Sequence, residues 1–190
     1  WGSPGQDQDA TIRIDLEDAV NGTQRLFTVQ VPEIDRQGRR QTRERRLRVR
    51  IPPGVNDSTR IRLAGQGSPG SGGGRPGDLY LKVEIKPHPL FRIEDRDVFL
   101  DLPVTPWEAA LGETVEVPTL RGRVQMRIPA GSQSGRKFRL RRRGLPGDPP
   151  GDQYVILQIH VPPAGSSEAK TFYHNMKQEM PFDPRKDRGI

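Results

Sequence analysis

The 190-residue chain contains no cysteine. That excludes a disulfide scaffold, a cysteine-ligated zinc site and thiol catalysis, and it fits a reducing compartment. Histidine is scarce as well. His88, His160 and His174 fall on a connector, a strand end and a terminal helix, so no clustered nitrogen ligands for a metal are visible. No apolar run approaches the ~20 residues that cross a bilayer, and the N-terminus carries no signal-peptide core. The expected setting is cytoplasmic, without membrane contact. There is no Gly-Lys-Ser/Thr sequence and hence no P-loop. Residues 65–70, GQGSPG, fit G-x-G-x-x-G letter for letter. More glycines follow, however, in place of the helix that a dinucleotide site requires. Carboxylates are spread along turns. These absences predict a non-enzymatic protein with no catalytic residue, no metal and no cofactor. The first residue is Trp rather than Met, so a piece of a longer protein is expected.

What the chain has is positive charge and a repeat. The formal net charge is +7 and the isoelectric point about 10.2, which suits an acidic partner: nucleic acid, an acidic peptide or a membrane surface. Residues 51–67, IPPGVNDSTRIRLAGQG, return at 128–144 as IPAGSQSGRKFRLRRRG. Ile51, Pro52, Gly54, Arg62, Leu63 and Gly67 align with Ile128, Pro129, Gly131, Arg139, Leu140 and Gly144 at a constant offset of 77. Each copy runs through a Gly/Pro-rich loop into a strand opening on Gly-Asp, GDLYLKVEI at 77–85 and GDQYVILQI at 151–159. The period is too long for a solenoid unit and suits a small domain of roughly 75–80 residues. Units of that size bury only about 60–65% of their unfolded surface, so each needs a neighbour.

Apolar/polar alternation predicts short strands: TIRIDL (11–16), RLFTVQV (25–31) closed by Pro32, LRVRI (47–51), RIRLAG (60–65) and DLYLKVEI (78–85). Residues 33–46 read as a hairpin tip turning at Gln37-Gly38, and the glycine-rich 65–77 as a mobile surface loop. KPHPLF (86–91) is a connector that Pro87 and Pro89 hold extended, with Leu90 and Phe91 docking it. TPWEAALG (105–112) is a capped helical turn, with Thr105 at the N-cap, Pro106 at the first helical position and Gly112 at the end. It echoes LEDAVNG at 16–22.

The fold class expected is mainly β: two tandem homologous β-sandwich-like domains, each with one short helix, followed by a C-terminal amphipathic helix. Pro-rich turns and alternating strands argue against a parallel α/β sheet. The boundaries are residues 1–9 as a linker end, 10–87 and 88–163 as the two domains, and 164–190 as helix and tail. In that last segment Ala169, Phe172, Tyr173, Met176 and Met180 share one helical face. The face folds back on the second unit or meets a second subunit.

Two surfaces are candidates for binding. Arg46, Arg48 and Arg50 alternate with Leu47, Val49 and Ile51, and Arg139, Arg141 and Arg143 partly alternate with Phe138 and Leu140. They are the wet face of half-buried strands or an anion site; base-stacking aromatics are not interleaved with them. Ile12, Ile14, Phe27, Val29 and Leu81 sit on neighbouring strands of the first unit. They are plain core, or they line a groove that takes an extended peptide by strand addition.

LEDAVNG with its echo PWEAALG, the paired IPPG/IPAG turns each followed by R-x-L and glycine, and GDLYLKVEIKPHPLFRIEDRDVFLDLPVTPWEAALG between them occur in one order and spacing. Over about residues 10–163 this resembles the C-terminal, substrate-binding half of a DnaJ-type (Hsp40) co-chaperone. EAKTFYHNMKQEMPFDPR resembles the tail of bacterial CbpA-like members. With no cysteine, and only the 33–46 hairpin where a zinc-binding insert would stand, it resembles the class without zinc. The chain has His88-Pro89-Leu90 but not the His-Pro-Asp of a J-domain, and it should not stimulate ATP hydrolysis alone. The resemblance implies a shallow hydrophobic groove for unfolded polypeptide at Ala10, Ile12, Ile14, Phe27, Val29 and Leu81, with Ala10 smaller than the usual aliphatic. It implies that Arg25 meets the acidic tail of an Hsp70 partner. It also implies a homodimer held by Phe172, Tyr173, Met176, Met180 and Phe182. A nucleic-acid-binding module, with DNA as partner, is the alternative.

Overall fold

The structure, a computed structural model, describes residues 1–190. Eleven strands and three α-helices follow one another as two copies of one pattern and a tail. In the first copy β1 (Gln8–Ile14) leads into helix α1 (Leu16–Asn21), then the hairpin β2 (Thr23–Ile34) and β3 (Arg40–Ile51), then β4 (Arg60–Leu63) and β5 (Leu79–Ile85). The second copy is β7 (Asp97–Val104), α2 (Pro106–Leu111), the hairpin β8 (Glu113–Thr119) and β9 (Gly122–Ile128), then β10 (Lys137–Leu140) and β11 (Gln153–Ile159). Between them stands β6 (Phe91–Glu94), and helix α3 (Ser167–Glu179) follows the second copy, with a short 3-10 turn (Lys186–Arg188) after it.

Each copy is a sheet facing a two-stranded hairpin. The first sheet has strand order β1-β5-β4 and the second β10-β11-β7-β6. Alternation turns Ile12, Ile14, Leu79, Leu81 and Val83 of the first sheet toward Phe27, Val29, Val31, Val49 and Ile51 of its hairpin. The mainly β, two-unit architecture expected from the sequence is present. No α/β sheet forms, yet β1 pairs with β5, and β7 with β11, in parallel. The helix and hairpin between the partners supply the crossover that a parallel pair needs.

The repeated stretch is scaffold. Arg62 donates through Nε to Asp78 at 2.7 Å, and the Gly65 backbone N–H donates to the same carboxylate at 2.8 Å. Arg139 and the Arg142 N–H treat Asp152 alike, both at 2.8 Å. Upstream, Asp7 accepts from the Asp78 N–H and Asp97 from the Asp152 N–H, at 2.7 and 2.8 Å. The Gly-Asp that opens β5 and β11 therefore ties the end of β4 or β10 back to its neighbour. These backbone N–H donors, and the arginines after them, hold both carboxyls below the usual carboxylate range. Helix α2 has the expected capping box: Thr105 Oγ1 accepts from the Glu108 N–H at 3.2 Å, and Glu108 accepts from the Thr105 N–H at 2.8 Å. Gly22 and Gly112 end the two short helices at φ +72° and +81°. A Cβ there would lie 2.9 Å from the carbonyl of Ile51 or of Ile128, the first residue of each repeat.

Three local expectations change. β2 continues through Pro32 to Ile34, because the hairpin partner Thr42 lies opposite on an edge strand that tolerates proline. Residues 1–9 are no free linker end and 65–77 no free loop: Ser3 exchanges backbone hydrogen bonds with Ser71, Gly5 donates to Arg75 and Ser68 to Gln6. Phe91 does more than dock a connector; it opens β6, which pairs antiparallel with β7.

The copies touch. Gly54 comes so close to Pro146 that a Cβ would lie 2.2 Å from its carbonyl oxygen, and Asn56 donates to the Asp95 carbonyl at 3.1 Å. The buried apolar residues form one continuous cluster across both copies.

Candidate functional site

In the first copy two strands lie side by side without pairing. β1 is the edge of its sheet, and β2 is the edge of its hairpin. They are in contact, and Gln8 Nε2 reaches the Pro32 carbonyl at 3.3 Å across the gap. Two edges with free backbone donors and acceptors thus border one crevice, the geometry on which an extended chain adds as a strand.

The predicted groove residues converge here, but most are inside. Ile12, Ile14, Val29 and Leu81 are fully buried between sheet and hairpin. They form the floor and the fold's own core, not an open lining. Alternation in sequence identifies an inward face but does not say whether that face is sealed. Phe27, 8% exposed, and half-buried Ala10 lie nearest the surface.

Arg25 already has an acidic partner within the chain. Its two terminal nitrogens grip Asp18 of α1 at 2.8 and 2.7 Å, and its guanidinium lies 4.4 Å from the centre of the Phe27 ring. The hydrogen bond from Arg25 holds the Asp18 carboxyl below its ordinary range and raises the arginine in turn. The expectation from sequence was that Arg25 meets the acidic tail of an Hsp70 partner. The structure gives it an internal carboxylate partner and a place over Phe27.

The arginines separate into two kinds. Arg62 and Arg139 are spoken for by Asp78 and Asp152. Arg46, Arg48 and Arg50 point away from the core along β3, opposite Thr28, Leu26 and Gln24, and none takes part in an ion pair.

Helix α3 is capped by Ser166, whose Oγ accepts from the Ala169 N–H at 3.1 Å. Phe172, Met176, Met180 and Phe182 are exposed; Phe182 is 83% exposed. Tyr173 is the exception among the predicted dimer residues. Its hydroxyl donates to the Pro162 carbonyl and ties the helix to the second copy. Beside it Trp107, 56% exposed, joins Pro163, Phe172 and Met176 around an apolar hollow. Trp107 was missed in the sequence. Nothing in TPWEAALG tells whether its tryptophan is buried; in the fold α2 buries only Ala109 and leaves Trp107 outside the core.

The chain matches the family model described as the DnaJ C terminal domain over residues 8–162. It is 52% identical over 184 residues to the Curved DNA-binding protein of Coxiella burnetii, covering 96% of this chain and 59% of that protein. Proteins of the same name from Pseudomonas putida and Serratia proteamaculans are 40% and 41% identical, over 97% and 98% of this chain. The chain spans 59–61% of the length of these relatives.

Proposed function

We propose, because the chain belongs to the DnaJ C-terminal domain family, that it is the polypeptide-binding and dimerising portion of a cytoplasmic co-chaperone. An unfolded polypeptide lies as an extended strand in the crevice between β1 and β2, bound through backbone hydrogen bonds and side chains that rest against Ala10 and Phe27. α3 joins two copies, so that two weak sites act on one client with raised effective concentration. Clients then pass to an Hsp70 partner, whose acidic tail competes with Asp18 for Arg25. The chain does no chemistry of its own.

One observation carries this reading: equivalent strands are treated unequally. β1 and β7 occupy the same place in their copies, each parallel to the last strand of its unit. β7 has its outer edge covered by β6, while the outer edge of β1 is left unpaired. An uncovered edge is a liability that folded proteins ordinarily hide; keeping one beside an apolar floor favours use over accident. The test is a titration of a fluorescent, permanently unfolded polypeptide against wild type and the rim variants Phe27→Asp and Ala10→Asp, each checked for native circular dichroism. Affinity should fall about tenfold or more in both. Affinity equal to wild type in both folded variants would remove the crevice as the site.

A second reading rests on Arg46, Arg48 and Arg50, three exposed cations in a row without carboxylate partners. Relatives bear the name Curved DNA-binding protein. In this reading β3 lies along the phosphates of a duplex and binding is dominated by counterion release.

A further inference from the structure

We infer that β6 is a built-in copy of the ligand, and that it specifies how a client strand sits on β1 and which side chains it must carry. The inference rests on the crevice reading above and adds strand partner, direction and side-chain pattern.

The two registers can be superposed residue by residue. Gln8 pairs with Leu79 and Ile14 with Ile85; at the same places in the second copy Val98 pairs with Gln153 and Val104 with Ile159. Gln8, Asp9, Ala10 and Thr11 therefore correspond to Val98, Phe99, Leu100 and Asp101. β6 runs antiparallel to β7 with Phe91 opposite Leu100 and Ile93 opposite Val98. Phe91 is buried and Ile93 half-buried, while Arg92 and Glu94 between and after them are exposed. Arg92 reaches Asp101 at 2.8 Å.

Transferred to the first copy, a client strand lies antiparallel to β1. An aromatic residue sits opposite Ala10 and a branched aliphatic opposite Gln8. Ala10 is smaller than Leu100, which leaves more room for the aromatic ring at the point where it must enter. The residue between the two faces outward opposite Asp9, whose carboxylate is ion-paired with Arg60, and beside Thr11, which stands where Asp101 receives Arg92, so no charge is demanded of it. The client class is thus an aromatic and, two residues on, a branched aliphatic in extended conformation, the alternation of Phe91 and Ile93 itself.

The experiment uses a labelled synthetic nonapeptide with the sequence of residues 88–96, HPLFRIEDR, titrated against the full chain, with amide hydrogen exchange on the bound state. Saturable binding is expected, with new protection at alternate amides within Gln8–Ile14. Alanine at the peptide's phenylalanine should weaken it about tenfold or more. Ala10→Phe in the protein, which fills the entry point, should do the same. No binding of this peptide by a chain that still binds unfolded polypeptide would overturn the inference and leave the crevice reading standing. So would protection confined to β2 on wild-type protein, whatever the variant does. Failure of both peptide and unfolded polypeptide to bind would overturn the crevice reading itself.

Discussion

Arg25 holds Asp18 with both terminal nitrogens, at 2.8 and 2.7 Å, and the same guanidinium lies over the ring of Phe27. The pair closes the rim of the crevice with an internal carboxylate. An acidic ligand that uses Arg25 must first displace that carboxylate, and in doing so it uncovers Phe27. Asp18→Asn should therefore tighten binding of a short peptide ending in two or three acidic residues, measured by fluorescence anisotropy. Weaker or unchanged binding would separate Arg25 from that role. The cost in stability should be small, about 1 kcal/mol or less, because the arginine is well exposed.

The twin carboxylates Asp78 and Asp152 make stability depend on pH in a stated direction. Both have their folded pKa lowered, first by a backbone N–H and then by an arginine. A depressed carboxylate stabilises the fold above its unfolded pKa of about 3.9, and that contribution is lost as pH falls through the folded value. Asp78→Asn and Asp152→Asn should each unfold at lower urea concentration than wild type at pH 7. The gap should close in strong acid. A gap that persists there would mean that the charge is not what these residues contribute.

The capping box of α2 offers a local test of the second copy. Thr105→Ala removes the acceptor for the Glu108 N–H and should cost about 1 kcal/mol in chemical denaturation. Asp15, at the same place before α1, makes no side-chain cap bond, so Asp15→Ala should cost clearly less.

Replacing Arg46, Arg48 and Arg50 together by Gln should leave the fold intact, since none is in an ion pair. If β3 follows DNA phosphates, the slope of log affinity against log salt should drop by about 2.7. An unchanged slope would clear β3 of DNA contact. Binding of unfolded polypeptide should be unaffected in either case.

Cutting the chain after Pro163 removes Phe172, Met176, Met180 and Phe182 while sparing both copies. Sedimentation should change from about twice the 21.4 kDa chain mass to a monomer. A dimer that survives the cut would place the contact elsewhere, with exposed Trp107 the first residue to examine.

Much of this architecture can be read from local pattern. The repeat, the alternating strands, the Thr105 cap and the α3 stripe are all short-range signals. What escapes local pattern is pairing. β6 is four residues long and follows two prolines, so nothing in Phe91–Glu94 announces a strand until β7 lies beside it. The parallel pairs join residues 71 positions apart in the first copy, as Gln8 with Leu79, and 55 apart in the second, as Val98 with Gln153. The reach of Arg25 to Asp18 depends on how α1 packs over β2. Even where the pattern was informative it was incomplete: Ile12, Val29 and Leu81 read as an inward face, and only the fold tells that they are floor and not lining.

β6 has a further consequence for how such a molecule arises. When one domain is duplicated in tandem, the segment joining the copies becomes available to the second alone. Here residues 91–94 turn back through Asp95-Arg96 and pair with the second copy's leading strand. The segment ahead of the first copy's leading strand takes another course, hydrogen-bonded along the glycine-rich stretch at 67–77. Position in the chain thus separates the two leading strands: β7 gains a neighbour on its outer edge and β1 does not.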